Sequence, residues 1–157
     1  MDSGAPCVAA VAAHPREAAK LVEENAALLQ RYRRLLEYPE YLETHRMLHY
    51  ETPFPAFLPL TAAQSLFHVQ SSLDLAHGRA LQVAYDLERS LRFSRRMLAG
   101  ATTMVGKMVA TAHARRAALF ASEALPAIAR ADRKALASLA RALAPLSASE
   151  RTEPVAL

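Results

Sequence analysis

The sequence is poor in cysteine, tryptophan and glycine: one cysteine, no tryptophan and four glycines among 157 residues. The single cysteine, Cys7, cannot form an internal disulfide, which favours a reducing compartment, and we expect an intracellular, cytoplasmic protein. The glycines are isolated from one another, which excludes a glycine-rich phosphate loop. Aromatic residues make up only 6% of the chain. Abundant alanine and few aromatic residues favour helix over sheet, so the composition predicts an all-α protein.

The chain also lacks a long, strongly apolar run. Residues 1–13 carry no basic side chain, so they match neither a secretory signal nor a mitochondrial presequence. The segment from Met97 to Ala114 has one full charge, Lys107, but its Ala, Thr and Gly content is too weakly hydrophobic for a membrane span. We therefore expect no transmembrane segment. We predict one helical domain at 14–144, with flexible tails at 1–13 and 145–157.

The clearest pattern that is present lies in residues 61–99. Thr61 to Gln64 fits a capping box at a helix start, and Gly100 is a usual stop. Apolar residues recur between them every three or four positions, and they define an interaction seam: Leu66, Val69, Leu73, Val83 and Leu87. One helix of this length would span roughly 57 Å, longer than a small domain needs. The pattern predicts a four- to five-helix bundle with one long central amphipathic helix, coiled-coil-like packing, and assembly through the seam.

Weaker patterns predict the other helices. A first helix should begin at Pro15 and carry leucines seven residues apart, as in a short zipper: Leu21, Leu28, Leu35 and Leu42. A shorter helix should run from Pro39 to about Tyr50. Three prolines then predict an extended connection at 52–60. Pro126 should break the chain again and open a last helix that reaches Leu143.

Basic residues concentrate in one part of the chain. Residues 79–116 hold eight basic side chains against two acidic ones. The helical pattern places four arginines opposite the seam and two more in the next helix, giving a basic surface of Arg89, Arg92, Arg95, Arg96, Arg115 and Arg116. This surface either keeps the helix soluble or binds an anionic lipid surface or an acidic protein. The lack of lysine clusters and interleaved aromatic residues argues against nucleic acid as the partner.

Candidate chemistry is limited to one histidine pair. His45 and His49 stand four residues apart on a predicted helix and could hold a metal ion together. Arg46 stands where a zinc-binding helix would carry glutamate, and it would repel a cation. Further ligands would have to come from His68, His77 or Glu43. We therefore expect no metal site, no cofactor and no catalytic residues.

These features predict a non-enzymatic helical interaction or scaffold protein, acting as a subunit of a homo- or hetero-oligomeric assembly. The Ala-rich amphipathic helices without catalytic residues also resemble, as an analogy, those of bacterial phasins, which coat polyester granules. That resemblance implies the alternative of a peripheral lipid- or granule-binding helical protein. A helical nucleic-acid-binding protein is the third hypothesis.

Overall fold

The computed structural model describes residues 6–43 and 57–151. All regular structure within these ranges is helical and no strand occurs there, so the predicted all-α class is confirmed. The helices in chain order are α1 (Cys7–Ala13), α2 (Pro15–Glu24), α3 (Ala26–Leu35), α4 (Phe57–Ala76), α5 (Ala80–Gly100), α6 (Met104–Ala131), α7 (Arg133–Ala142) and α8 (Ala148–Arg151).

The prediction of one continuous helix over 61–99 is wrong, because α4 and α5 are separate helices joined at residues 77–79. Gly78 has a φ of +75°, a left-handed conformation that glycine adopts without steric cost. Its N–H donates to Leu75 O at 3.0 Å, and the N–H of Arg79 donates to Asp74 O at 2.8 Å. This pair of bonds is a Schellman stop. The apolar spacing continues in phase across the turn, so the apolar pattern alone does not indicate the break between the two helices.

The predicted start of that helix is also wrong. Helix α4 begins at Phe57, so Thr61 lies inside it and Pro59 occupies its first turn, where a missing N–H is tolerated. Gln64 is fully buried and donates its side-chain N–H to His113 O of α6 at 2.9 Å instead of capping a helix. The predicted connection at 52–60 is therefore helical from residue 57 onward, and residues 52–56 lie outside the described part.

The N-terminal region differs from the prediction in two ways. Residues 7–13, expected in a flexible tail, form α1, and Val11 packs with Leu73 of α4. The predicted start at Pro15 is correct, but Asn25 separates α2 from α3 and divides the proposed zipper. Leu21 and Leu42 are 47% and 75% exposed, so the leucine repeat does not mark the packed face.

The C-terminal half is dominated by α6. Pro126 was expected to end a helix, but α6 continues through it to Ala131, because the proline lies on the exposed side of the helix. The break falls at Asp132, whose carboxylate accepts the N–H of Lys134 at 2.7 Å and caps α7. Gly100 ends α5 as predicted. Residues 145–151, expected in a flexible tail, include the short helix α8.

Two apolar clusters form the main core. One joins α5, α6 and α7 through residues that include Leu87, Phe120, Ile128 and Leu139. The other joins α3, α4, α5 and α6 through residues that include Tyr32, Phe67, Phe93 and Met97. Buried alanines line the inner side of α6, and side chains of this size let helices approach closely: Ala110, Ala117, Ala121 and Ala124. The inner side of α6 is thus fixed by packing.

Candidate interaction surface

The predicted interaction seam lies inside the chain's own core. Leu66, Leu73, Val83 and Leu87 are buried, and Val69 is half-buried beside the α1–α2–α4 cluster. Since Val83 and Leu87 are 0% exposed, this seam offers no surface to a second chain. Replacing Leu87 with aspartate would place a charge in an apolar interior and unfold the chain rather than dissociate an assembly.

Two of the predicted basic residues bind the segment that follows α3, residues 36–43, which we call the strap. Arg89 of α5 pairs with Glu37 at 3.0 Å. Arg96 donates to the carbonyl oxygen of Leu36 at 3.0 Å and lies 5.9 Å above the ring of Phe93. Burial lowers the pKa of Arg96, with a contribution from the Arg92 charge. These two arginines hold the strap against α5 instead of forming an open basic stripe.

Arg95 binds the C-terminal segment. Its guanidinium contacts the Glu150 carboxylate at 2.5 and 2.9 Å and donates to the carbonyl oxygens of Ala142, Ala144 and Pro145. The hydrogen bonds from Arg95 lower the pKa of Glu150 to about 2. Of the four α5 arginines, Arg92 is the most exposed at 59%, and it pairs with Glu88 one turn away.

The strap ends in a carboxylate clasp at the start of α6. Glu43 accepts the N–H groups of Thr102 and Thr103 at 2.6 and 2.7 Å, together with both threonine hydroxyls. These hydrogen bonds outweigh the effect of burial, which acts in the opposite direction, and lower the pKa of Glu43. A Cβ on Gly106 would lie 2.5 Å from a Glu43 carboxylate oxygen, so glycine is required for this approach. The clasp fixes the N-terminal end of α6.

The outer side of α6 carries a row of exposed apolar side chains. Met104, Met108 and Leu119 are 72%, 65% and 54% exposed. Their spacing of 4 and 11 residues is close to whole helical turns, so they lie along one face over about 22 Å. Val105 borders the row at 36% exposure. We call this row, with the exposed Arg115 between Met108 and Leu119 and the adjacent Arg116, the α6 face.

The charged residues of α6 between Met104 and Leu119 are all positive, and the nearest carboxylates are Glu43 in the clasp and Glu123 one turn beyond Leu119. The sequence contains no aspartate or glutamate from Arg89 to Ser122. Arg115 and Arg116 are exposed, and no described carboxylate lies within ion-pair distance of either one. Arg115 and Arg116 therefore differ from the α5 arginines of the predicted basic surface, which bind carboxylates or carbonyl oxygens of the chain. The α6 face therefore combines exposed apolar side chains with two arginines that no described carboxylate neutralises.

A second feature that sequence reasoning missed is a buried polar group between α4 and α6. His68 stacks on Phe120 with ring centroids 4.6 Å apart, and His113 is fully buried. Four of the group's side-chain atoms have no hydrogen-bond partner among the described residues: Gln64 Oε1, His68 Nε2, His113 Nδ1 and His113 Nε2. Burial lowers the pKa of both histidines to about 4, and the Arg116 charge adds to the effect. Both imidazoles are thus held neutral near pH 7.

The predicted metal candidates are not brought together in the described structure. His45, Arg46 and His49 lie outside the described residues. His68 is buried between α4 and α6, whereas His77 is exposed at the end of α4. Glu43 is engaged in the clasp. Within residues 6–43 and 57–151 no group of three or more histidine, cysteine or acidic side chains is arranged to hold a metal ion.

The sequence carries a signal for the α6 face, but a helical apolar pattern by itself does not reveal it. Met104, Met108 and Leu119 continue a helical apolar pattern, which pattern reasoning places inward by default. The distinguishing signal is the set of alanines and the histidine on the other side, Ala110, His113, Ala117, Ala121 and Ala124, which face the core. Small residues at those positions allow close helix packing and leave the larger apolar side chains outside.

None of the described helices is both long and apolar enough to cross a membrane. Comparison of the chain with known protein families, with curated proteins and with solved structures found no significant match.

Proposed function

We propose that this chain is a non-enzymatic helical interaction or scaffold protein, a subunit of a homo- or hetero-oligomeric assembly that uses the α6 face as its contact surface. The observation that supports this most directly is the row of Met104, Met108 and Leu119, exposed along one side of a helix whose other side is fixed in the core. Burying each of these side chains against a partner would contribute about 1–2 kcal/mol. An adaptable methionine surface suits protein contacts.

The proposal moves the assembly surface from the predicted seam to α6. The seam residues already pack against neighbouring helices of the same chain, whereas the α6 side chains pack only on their inner side. The clasp and the buried alanines hold α6 in place, so its outer face is preorganised for binding. A cytoplasmic location and coiled-coil-like packing of the helical bundle belong to the same proposal.

Light scattering after size-exclusion chromatography tests homo-assembly, and affinity capture from the native cell extract tests hetero-assembly. We expect wild type to self-associate at micromolar concentration or to retain a partner in fixed stoichiometry. Met108→Glu with Leu119→Glu should abolish this without changing the helical circular dichroism signal. Leu21→Glu is the matched control, because Leu21 is 47% exposed on α2. A monomeric wild type without a partner, or assembly that survives the double substitution, contradicts the proposal.

The alternative of a lipid- or granule-binding protein is supported by the basic and apolar character of the same face. Flotation with vesicles that contain phosphatidylglycerol separates it from the main proposal, since only the alternative predicts binding that depends on Met108 and Leu119. Nucleic-acid binding has less support, because Arg89, Arg92 and Arg95 already pair with carboxylates of the chain.

A further inference from the structure

Resting on the proposed function, we infer that the α6 face binds one class of partner: an amphipathic helix of another protein whose apolar anchors are flanked by aspartate or glutamate. The face is a straight row of about four helical turns. A second helix could lay anchors at positions i, i+4 and i+11 along it, which is the usual mode of helix recognition.

Charge complementarity supplies the first argument. Arg115 lies within the apolar row and Arg116 beside it, and neither has a described carboxylate within ion-pair distance. No acidic residue occurs in α6 before Glu123, and the Glu43 carboxylate at the start of α6 is buried and engaged in the clasp. Acidic flanking residues on a partner helix would speed its association and fix its register.

The same pairing of arginine with glutamate occurs within the chain itself, on the neighbouring helix α5. Glu37 of the strap binds Arg89, and Glu150 of the C-terminal segment binds Arg95. Both glutamates come from segments that dock on α5, and the strap also contributes Leu36 to an apolar cluster. Arg115 and Arg116 offer the same guanidinium groups next to an apolar row that no described segment covers.

Self-pairing of the face fits less well. In an antiparallel pair centred near Ala112, the two Arg115 side chains would lie about 9 Å apart along the axis, with both Arg116 side chains nearby. Four arginines would then gather with no acidic residue of either α6 face to neutralise them. The composition also fits a bilayer less well, since the row holds two methionines, one leucine and no aromatic residue.

A displayed library of amphipathic helices tests the inference. The library fixes apolar anchors at i, i+4 and i+11 and randomises the flanking positions, and binders are selected on the full wild-type chain. We expect aspartate and glutamate to be enriched at the flanks. For the selected peptides, Arg115→Glu with Arg116→Glu should weaken binding about tenfold or more, and selection on that variant should enrich lysine and arginine instead. The matched control is Arg31→Glu with Arg34→Glu, an equal charge change on exposed positions of α3.

The outcomes separate the two proposals. Binders that need Met108 and Leu119 but show no acidic enrichment overturn the partner class and leave the α6 face as a protein contact. Binders that ignore Met108→Glu with Leu119→Glu, or an absence of binders, contradict both. Vesicle binding lost in the same variants, without peptide binding, assigns the face to lipid and also overturns the inference. Circular dichroism of each variant confirms that the fold is retained.

Discussion

Acidification from pH 7 to pH 5 should destabilise this protein through the buried histidines of α4 and α6. His68 and His113 have a pKa of about 4 in the folded chain, against 6.5 as the ordinary value. The unfolded chain therefore binds protons at these sites at a higher pH than the folded chain does. Stability is fully present above pH 6.5 and falls as the pH drops from 6.5 toward 4.

The size of the effect follows from the two pKa values. At pH 5 each histidine lowers the free energy of unfolding by about 2 kcal/mol, because the side chain is almost fully protonated in the unfolded chain and mostly neutral in the folded one. The two together would lower the free energy of unfolding by about 4 kcal/mol, a large part of the stability of an ordinary domain. For a chain of this length the melting temperature should fall by roughly 10 °C. Glu43 and Glu150, whose pKa values are lowered below 4.5, keep most of their contribution down to pH 5.

The assay is chemical or thermal unfolding at pH 7, 6 and 5, followed by circular dichroism. His113→Leu replaces a fully buried imidazole with an apolar side chain of similar volume, and no described residue forms a hydrogen bond with that imidazole. We expect it to be neutral or stabilising at pH 7 and to remove about half of the acid-dependent loss. His77→Gln, at an exposed position, is the control and should behave as wild type. An equal loss in wild type and His113→Leu would refute the reasoning.

Three further substitutions test the fold, each by the change in free energy of unfolding. Gly78→Ala should cost about 1–2 kcal/mol from the left-handed backbone alone, because no atom lies within 4 Å of the added Cβ. Gly78→Asn should cost less, because asparagine tolerates this conformation better than alanine. Equal costs of the alanine and asparagine substitutions would contradict this reasoning. Leu87→Ala should cost about 2–5 kcal/mol, whereas Leu81→Ala on the exposed side of α5 should cost about 0.5 kcal/mol. Gly106→Ala should lower the free energy of unfolding by about 1–3 kcal/mol, because the added methyl group displaces Glu43. The same substitution should cost nothing in a Glu43→Ala background. An undiminished cost there would mean that the methyl group clashes with another part of the chain.

Interactions between neighbours along the chain were predictable from sequence. The helical class follows from composition, and the start at Pro15 and the stop at Gly100 follow from residues whose backbone preferences act within one turn. Gly78 is a signal of the same kind, because a glycine within an apolar helical pattern can mark the end of a helix, and it marks the break between α4 and α5. Pro126 shows the limit of such signals, because a proline on the exposed side of a helix that is otherwise well packed does not end it.

The sequence by itself determined that the chain is helical and that its residues 89–122 carry only positive charge. Tertiary structure alone decided which apolar residues are inside, since a helical repeat has the same period whether a helix buries one face or several. Leu87 and Met108 fit the same repeat, yet one is fully buried and the other is 65% exposed. Tertiary structure also decided the role of each arginine. Arg95 and Arg115 are alike in sequence, and only the return of Glu150, 55 residues later in the chain, separates a structural ion pair from a charge left at the surface.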